Sequence, residues 1–129
     1  MSGADIVIYP CAYGKVSIQR ERYIRIAQSL LTDFRGMKRT FPGPAAGVYQ
    51  GLIPNVAEDL GMDFSISAGA AMHAHPMGAA AGVESLIKAA DATAEGIPLE
   101  EAAKDCESLK VALDLWGIGV HQDLFDLKK

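Results

Sequence analysis

Three times in 129 residues the apolar pattern switches from a short β-type run to a 3.6-residue helical period, in the order strand, helix, strand, helix, strand, helix. This alternation constrains the fold more than any bulk property. Short right-handed connections between such units lay the strands parallel in one sheet. The first run, Asp5-Ile6-Val7-Ile8-Tyr9, is stopped by Pro10, and its continuous β-branched character predicts a strand covered on both faces. A helix follows, with Ser17 as N-cap and Tyr23, Ile24, Ala27, Leu30, Leu31 and Phe34 recurring at three- and four-residue steps until Gly36 ends it. Ile24, Ala27 and Leu31 are expected to face the sheet. The second unit runs from Lys38-Arg39-Thr40-Phe41 through Pro42-Gly43-Pro44-Ala45-Ala46-Gly47 into a helix near Pro54, with Val56, Ala57 and Leu60 buried and Gly61 closing it. The third repeats the plan: Asp63 to Ser67, then Ala68-Gly69-Ala70-Ala71, then a helix carrying Val83, Leu86, Ile87, Ala90 and Ala94. A last helix starts at Pro98 with Glu100 and Glu101 in its first turn, where the helix dipole favours acids. Its seam is Leu99, Ala103, Cys106, Leu109, Leu113 and Trp116.

Three parallel strands are too few for a closed barrel. A (β/α)₈ barrel takes roughly 250 residues, so this length supplies about three of its eight units. The choices are a small open α/β sheet or one part of a larger barrel. Composition fits either: 50% of residues are apolar and 22% charged, which excludes disorder, and 20 Ala and 13 Gly suit tight strand-to-helix turns. Net charge is −4 and the isoelectric point is near 5.3, so a nucleic-acid backbone binder is excluded. The first nine residues carry no cationic region, and the run Ile6–Ile8 is far too short for a signal peptide or membrane span. A cytoplasmic protein is expected. Cys11 and Cys106 stand far apart without metal-type spacing and read as small buried or turn residues, not as a disulfide or zinc pair.

The chemistry-bearing features are loops. Pro44-Ala45-Ala46-Gly47 and Ala68-Gly69-Ala70-Ala71 each follow a strand and precede a helix. Small side chains there expose backbone N–H groups that can cradle a phosphate, or they simply permit close strand–helix packing; spacing alone leaves both readings open. Lys15 lies after the first strand, at the sheet end where ligands bind in parallel α/β folds. Its ammonium is placed to stabilise a developing enolate or carboxylate oxygen, although a solvated loop lysine is the simpler reading of the residue by itself. His73 and His75 lack a third ligand at defined spacing, which favours turn hydrogen bonding or contact with a substrate oxygen over a metal. His121 in the tail, the pair Asp59 and Asp63, and the run Arg20-Glu21-Arg22-Tyr23 read as solvated surface.

Asp5 to Pro10, the loop Ala12-Tyr13-Gly14-Lys15-Val16, Phe41 to Gly47, and the segment Ala68-Gly69-Ala70-Ala71-Met72-His73-Ala74-His75-Pro76-Met77-Gly78 together resemble the RuBisCO large-subunit superfamily, in particular its non-carboxylating RuBisCO-like (type IV) branch. The resemblance implies the last three βα units of that family's TIM (β/α)₈ barrel plus its C-terminal helix, over residues 1–117, with 118–129 as a tail. It aligns Lys15 with the lysine of the mobile sixth loop. It places Ala45, Ala46 and Gly47 in the seventh loop, and Gly69, Ala70 and Ala71 in the eighth, both of which bind a substrate phosphate in the family. A β-carbon at Ala46, Ala70 or Ala71 penalises positive φ and crowds a phosphate. Ile8 stands where the carboxylases have a histidine, which argues against carbon dioxide fixation.

The resemblance further implies a parent enzyme acting by enolisation or isomerisation on a phosphorylated pentulose derivative in methionine salvage, dependent on magnesium. The metal-ligand segment of the family has no counterpart in this chain, so no cofactor and no turnover are expected of the chain alone. A second expectation is a non-catalytic module that docks onto the missing barrel half or onto a second copy of the chain. A third is part of a true carboxylase, which Ile8 disfavours.

Overall fold

A computed structural model describes residues 3–16 and 18–119. Strand β1 (Ile6–Pro10) pairs in parallel with β2 (Phe41–Ala45), Ile6 opposite Phe41 and Pro10 opposite Ala45. Helix α1 (Arg20–Leu31) connects them, and α2 (Ile53–Leu60) follows β2 after a 3₁₀ turn at Gln50–Leu52. The remaining elements are α3 (Gly69–His73), α4 (Ala79–Glu95), α5 (Leu99–Ala102), a 3₁₀ turn at Ala103–Asp105, and α6 (Glu107–Trp116). Among the described residues no helix is long and apolar enough to cross a membrane.

The second strand begins later than the sequence suggests and runs through both prolines. The hydrogen-bonding alternation of a parallel strand explains how. Odd-numbered residues of β2 face β1, as Phe41 N–H donating to Asp5 O and Cys11 N–H donating to Ala45 O show. The N–H positions of Pro42 and Pro44 therefore point the other way, toward residues 64–67. That third segment is extended but not a full strand. Ser65 N–H donates to Pro42 O at 2.9 Å and Ser67 N–H to Pro44 O at 3.2 Å, while the prolines have no hydrogen to donate back. The expected third strand is thus a one-sided ladder, parallel and in register but bound through half its usual bonds.

The sheet is covered on one face, which corrects the expectation of cover on both. Tyr9 and Cys11 pack beneath Tyr23 and Ala27 of α1 and Val56 and Leu60 of α2. On the opposite face Ile6, Ile8 and Phe41 are 50%, 64% and 47% exposed. A second core gathers Ile53, Ala89 and Ala92 against Leu99, Ala102, Ala103 and Leu109, and Ile66 packs against both cores.

The helices depart from the sequence reading where local chemistry competes with periodicity. Ser17 lies outside the described residues; α1 starts at Arg20 with Gln19 in the capping position. It stops at Leu31, where Thr32 turns extended and its hydroxyl donates to Gln28 O, satisfying a last-turn carbonyl. Phe34 is accordingly outside the helix and 41% exposed. The buried stripe of α4 is Gly82, Ser85, Ala89 and Ala92, not the larger Val83 and Ile87, which stay exposed. Small residues win because α4 meets α3 at backbone distance: a β-carbon at Gly82 would stand 2.2 Å from Met72 O. The single C-terminal helix is broken. Cys106 is extended (φ −141°, ψ 98°) between the 3₁₀ turn and α6, although Leu109 still reaches the core.

Burial of phenols makes the fold sensitive to alkali. Desolvation, then the nearby Cys11 thiol, pushes the Tyr9 phenol up to about 12, and burial likewise raises Tyr13, Tyr23, Tyr49 and the Cys11 thiol. A raised folded-state value favours the protonated form, so the unfolded chain releases these protons first and stability falls as pH rises. The stabilisation is complete below pH ~9, the ordinary range of the thiol, and declines beyond pH ~10 as phenols ionise in the unfolded state. Tyr9 alone accounts for about 2–3 kcal/mol by pH ~12. Urea midpoints measured from pH 8 to 11 should fall steadily above pH 9 to 10; a flat profile would contradict this.

Candidate functional site

Parallel alignment puts the three loops that follow β1, β2 and the 64–67 segment on one edge of the sheet. The first and second are joined directly. Lys15 N–H donates to Ala46 O at 2.9 Å, and Gly14 lies so close that a β-carbon there would be 2.1 Å from the same carbonyl oxygen. A β-carbon on Gly47, at φ +112°, would stand 2.7 Å from Lys15 N. The second and third loops start side by side, through the Ser67–Pro44 bond.

Ala46 has φ +64°, in the left-handed region that its β-carbon disfavours. The strain expected at this alanine is present. Ala70 and Ala71 differ: both lie inside α3 with ordinary helical backbone, so positive φ is not asked of them. The first bond of α3 runs from Met72 N–H to Ala68 O, leaving the N–H groups of Gly69, Ala70 and Ala71 without an intrahelical acceptor. Gly69 and Ala70 are exposed and Ala71 is buried. The side chain of Lys15 is exposed on the same edge.

Three side-chain groups that the sequence left on the surface support these loops. Asp59 is not a solvated charge: its side chain is 2% exposed and accepts from the Tyr13 hydroxyl and from Arg20. Arg20 is likewise more than an exposed helix start, and Tyr23 is fully buried. His75 acts in a turn. Its Nδ1 accepts from Met77 N–H at 3.1 Å, which leaves Nε2 to donate to Ser108 O at 2.9 Å, so the neutral ring ties the α3–α4 junction to α6. Gln50 and Ser85 form a similar buried clip between the turn after β2 and α4, Gln50 Nε2 donating to Ser85 Oγ at 2.7 Å. His73 is exposed, and His121 lies outside the described residues. No residue spacing announces the pairings of Tyr13 with Asp59, Gln50 with Ser85 or His75 with Ser108, which join positions 33 to 46 apart.

Magnesium, the metal implied by the resemblance, finds no donor set here. Among the described residues no three His, Cys, Asp or Glu side chains are grouped to hold a metal ion. The described residues do not fit that ion.

A family of known proteins has this sequence pattern: ribulose bisphosphate carboxylase large chain, catalytic domain, matches residues 16–116. The chain belongs to that family. It is 41% identical over 118 residues to the 2,3-diketo-5-methylthiopentyl-1-phosphate enolase of Geobacillus kaustophilus, covering 92% of this chain and 29% of the enzyme. A RuBisCO-like protein from Alicyclobacillus acidocaldarius superposes with a TM-score of 0.79 at 42% identity, over 88% of this chain and 28% of that one. The octameric ribulose-1,5-bisphosphate carboxylase/oxygenase of Pyrococcus horikoshii superposes with a TM-score of 0.83 at 34% identity, over 88% and 27%. This RuBisCO-family chain therefore spans under a third of the length of the relatives it matches.

Relief of strain at the loop junction is measurable. An alanine in the left-handed region costs roughly 1–2 kcal/mol, and glycine loses roughly 0.4–1 kcal/mol through its freer unfolded chain. Ala46→Gly should therefore stabilise the fold by about 0.5–1 kcal/mol. Gly14→Ala, which drives a β-carbon into the Ala46 carbonyl, should destabilise it by about 2 kcal/mol or more. Chemical denaturation of the two variants beside the parent chain checks both signs.

Proposed function

We propose that this chain is the phosphate-holding part of a RuBisCO-like enolase, built as the last three βα units of a (β/α)₈ barrel. Residues 1–117 form the barrel segment and its C-terminal helices, and 118–129 the tail. The single observation that carries the reading is the gathering of the Lys15, Ala46–Gly47 and Gly69–Ala70 loops on one edge of a parallel sheet with helices on one face only. An open doubly wound sheet would have helices on both faces. A barrel arc leaves its inner face, here Ile6, Ile8 and Phe41, for strands and side chains that close the cylinder.

In this reading the chain's own residues bind and orient. Backbone N–H groups of Ala46, Gly47, Gly69 and Ala70 receive a phosphate of a phosphorylated pentulose derivative, with Ala45 shaping the turn. Lys15 places its ammonium toward negative charge developing on the substrate. The metal on which the family's enolisation depends would be held by the part of the catalytic domain that this chain does not span, since the described residues offer no ligand set. The polypeptide that completes the barrel is the partner the uncovered apolar face calls for. Similarity to enolases supports proton transfer over carboxylation, as does Ile8, which occupies the inner face of β1 where the resemblance puts the carboxylase histidine.

The test has two arms. Titration of the chain with inorganic phosphate should shift the amide resonances of Gly47 and Gly69 selectively and to saturation. Refolding the chain with the complementary part of a related enolase should restore enolase turnover, and Lys15→Met should lower it by roughly 100-fold, as expected for loss of one charge-stabilising group. No amide response and no restored turnover would refute the proposal.

A further inference from the structure

The Lys15 loop is fixed from both sides of Gly14, and the two fixings differ in kind. On one side the loop meets backbone: Lys15 N–H on Ala46 O. On the other side it meets a buried carboxylate. Asp59, carried by α2, offers Oδ2 to the Tyr13 hydroxyl at 2.5 Å and Oδ1 to Arg20 at the start of α1. Arg20 Nε also donates to Tyr13 Oη at 3.0 Å, so that hydroxyl both donates and accepts. The Tyr13 ring stands edge-on to Tyr23, which is wholly buried. A carboxylate that is 2% exposed is costly to leave unpaired, so Asp59 resists any movement that removes Tyr13. The Arg20 side chain is 55% exposed and completes the pairing from the solvent side.

We propose that Tyr13, Asp59 and Arg20 form a positioning network that holds the Lys15 loop on the Ala46–Gly47 turn, so that the two loops bind ligand as one unit. The ligand part of this rests on the phosphate reading above; the mechanical part does not. None of the three residues is assigned contact with ligand. They act through Lys15, whose main chain cannot leave Ala46 without either breaking that bond or withdrawing the phenol from Asp59. The sequence puts Tyr13 two residues before Lys15, so loss of the phenol's partners is transmitted over a single peptide unit to the close contact of Gly14.

Site-resolved amide hydrogen exchange on the full 129-residue chain tests the network without any ligand. Tyr13→Phe keeps the ring and deletes only the hydroxyl. It should raise exchange at Lys15 N–H roughly tenfold, the value of one hydrogen bond to a charged group, while α4 amides stay within about twofold. Arg20→Gln, at an exposed side chain, should act in the same direction with a smaller effect and serves if the phenylalanine variant folds poorly. An unchanged Lys15 rate, or an equal rise at every amide, would overturn the network. In parallel, inorganic phosphate is titrated against the Gly47 amide. Tyr13→Phe should need roughly fivefold more phosphate for half-saturation, a shift of about 1 kcal/mol. A parent chain that ignores phosphate would sink the phosphate reading and leave the network to the exchange result; a parent that responds and a variant that responds equally would overturn the coupling of the loops.

Discussion

Two amide hydrogens, those of Ser65 and Ser67, hold the third extended segment to β2 by donating to the carbonyls of Pro42 and Pro44. The geometry of the site depends on this parallel alignment. Because β1, β2 and residues 64–67 all run the same way, their following loops emerge together, and residues far apart in the chain become neighbours along one edge. Had the third segment run antiparallel, Gly69 and Ala70 would stand at the opposite end from Ala46. The prolines permit the pairing and also weaken it, since each removes a donor that a full ladder would use.

The same alignment sorts the side chains. Alternate residues of β1 point to opposite faces, so Tyr9 goes to the helices while Ile6 and Ile8 go to the open side. A large share of polar detail then gathers under the covered face. Tyr9 and Tyr23 bury their hydroxyls beside Cys11, and Asp59 brings a charge to the loop base from α2. Asp59 is paired by Tyr13 and Arg20, whereas the Tyr9 and Tyr23 hydroxyls are buried without a hydrogen-bond partner among the described residues, a cost the surrounding core offsets. Stability and loop placement are thereby linked: the residues that make the fold sensitive to alkali are close neighbours of those that fix the Lys15 loop.

Membership of the RuBisCO large-chain family gives this arrangement its context. Relatives similar in sequence are named as enolases and extend over more than three times the matched length, while the carboxylase of Pyrococcus horikoshii shares the same backbone course. A common backbone thus carries different chemistry. In this chain Ile8 lies on the uncovered face, Ala46 is strained where glycine would be relaxed, and alanines 70 and 71 are absorbed into a short helix.

Local sequence alone determined the alternation of extended segments and helices through residue 95, the turn at Gly61, the proline at the head of α2, and the small-residue loops after each extended segment. Those features follow from short-range rules, because a proline's φ or an apolar period acts within a few residues. Tertiary structure decided what the rules leave open. It ran β2 through two prolines by turning their missing donors toward the third segment. It also chose Gly82 and Ala89 over Val83 and Ile87 as the buried stripe, because a neighbouring backbone came too close for larger side chains. Asp59 became a buried anchor for Tyr13 although its sequence surroundings look solvated. Such outcomes depend on partners tens of residues away, and a side chain's worth as core, anchor or surface is set by which partner arrives.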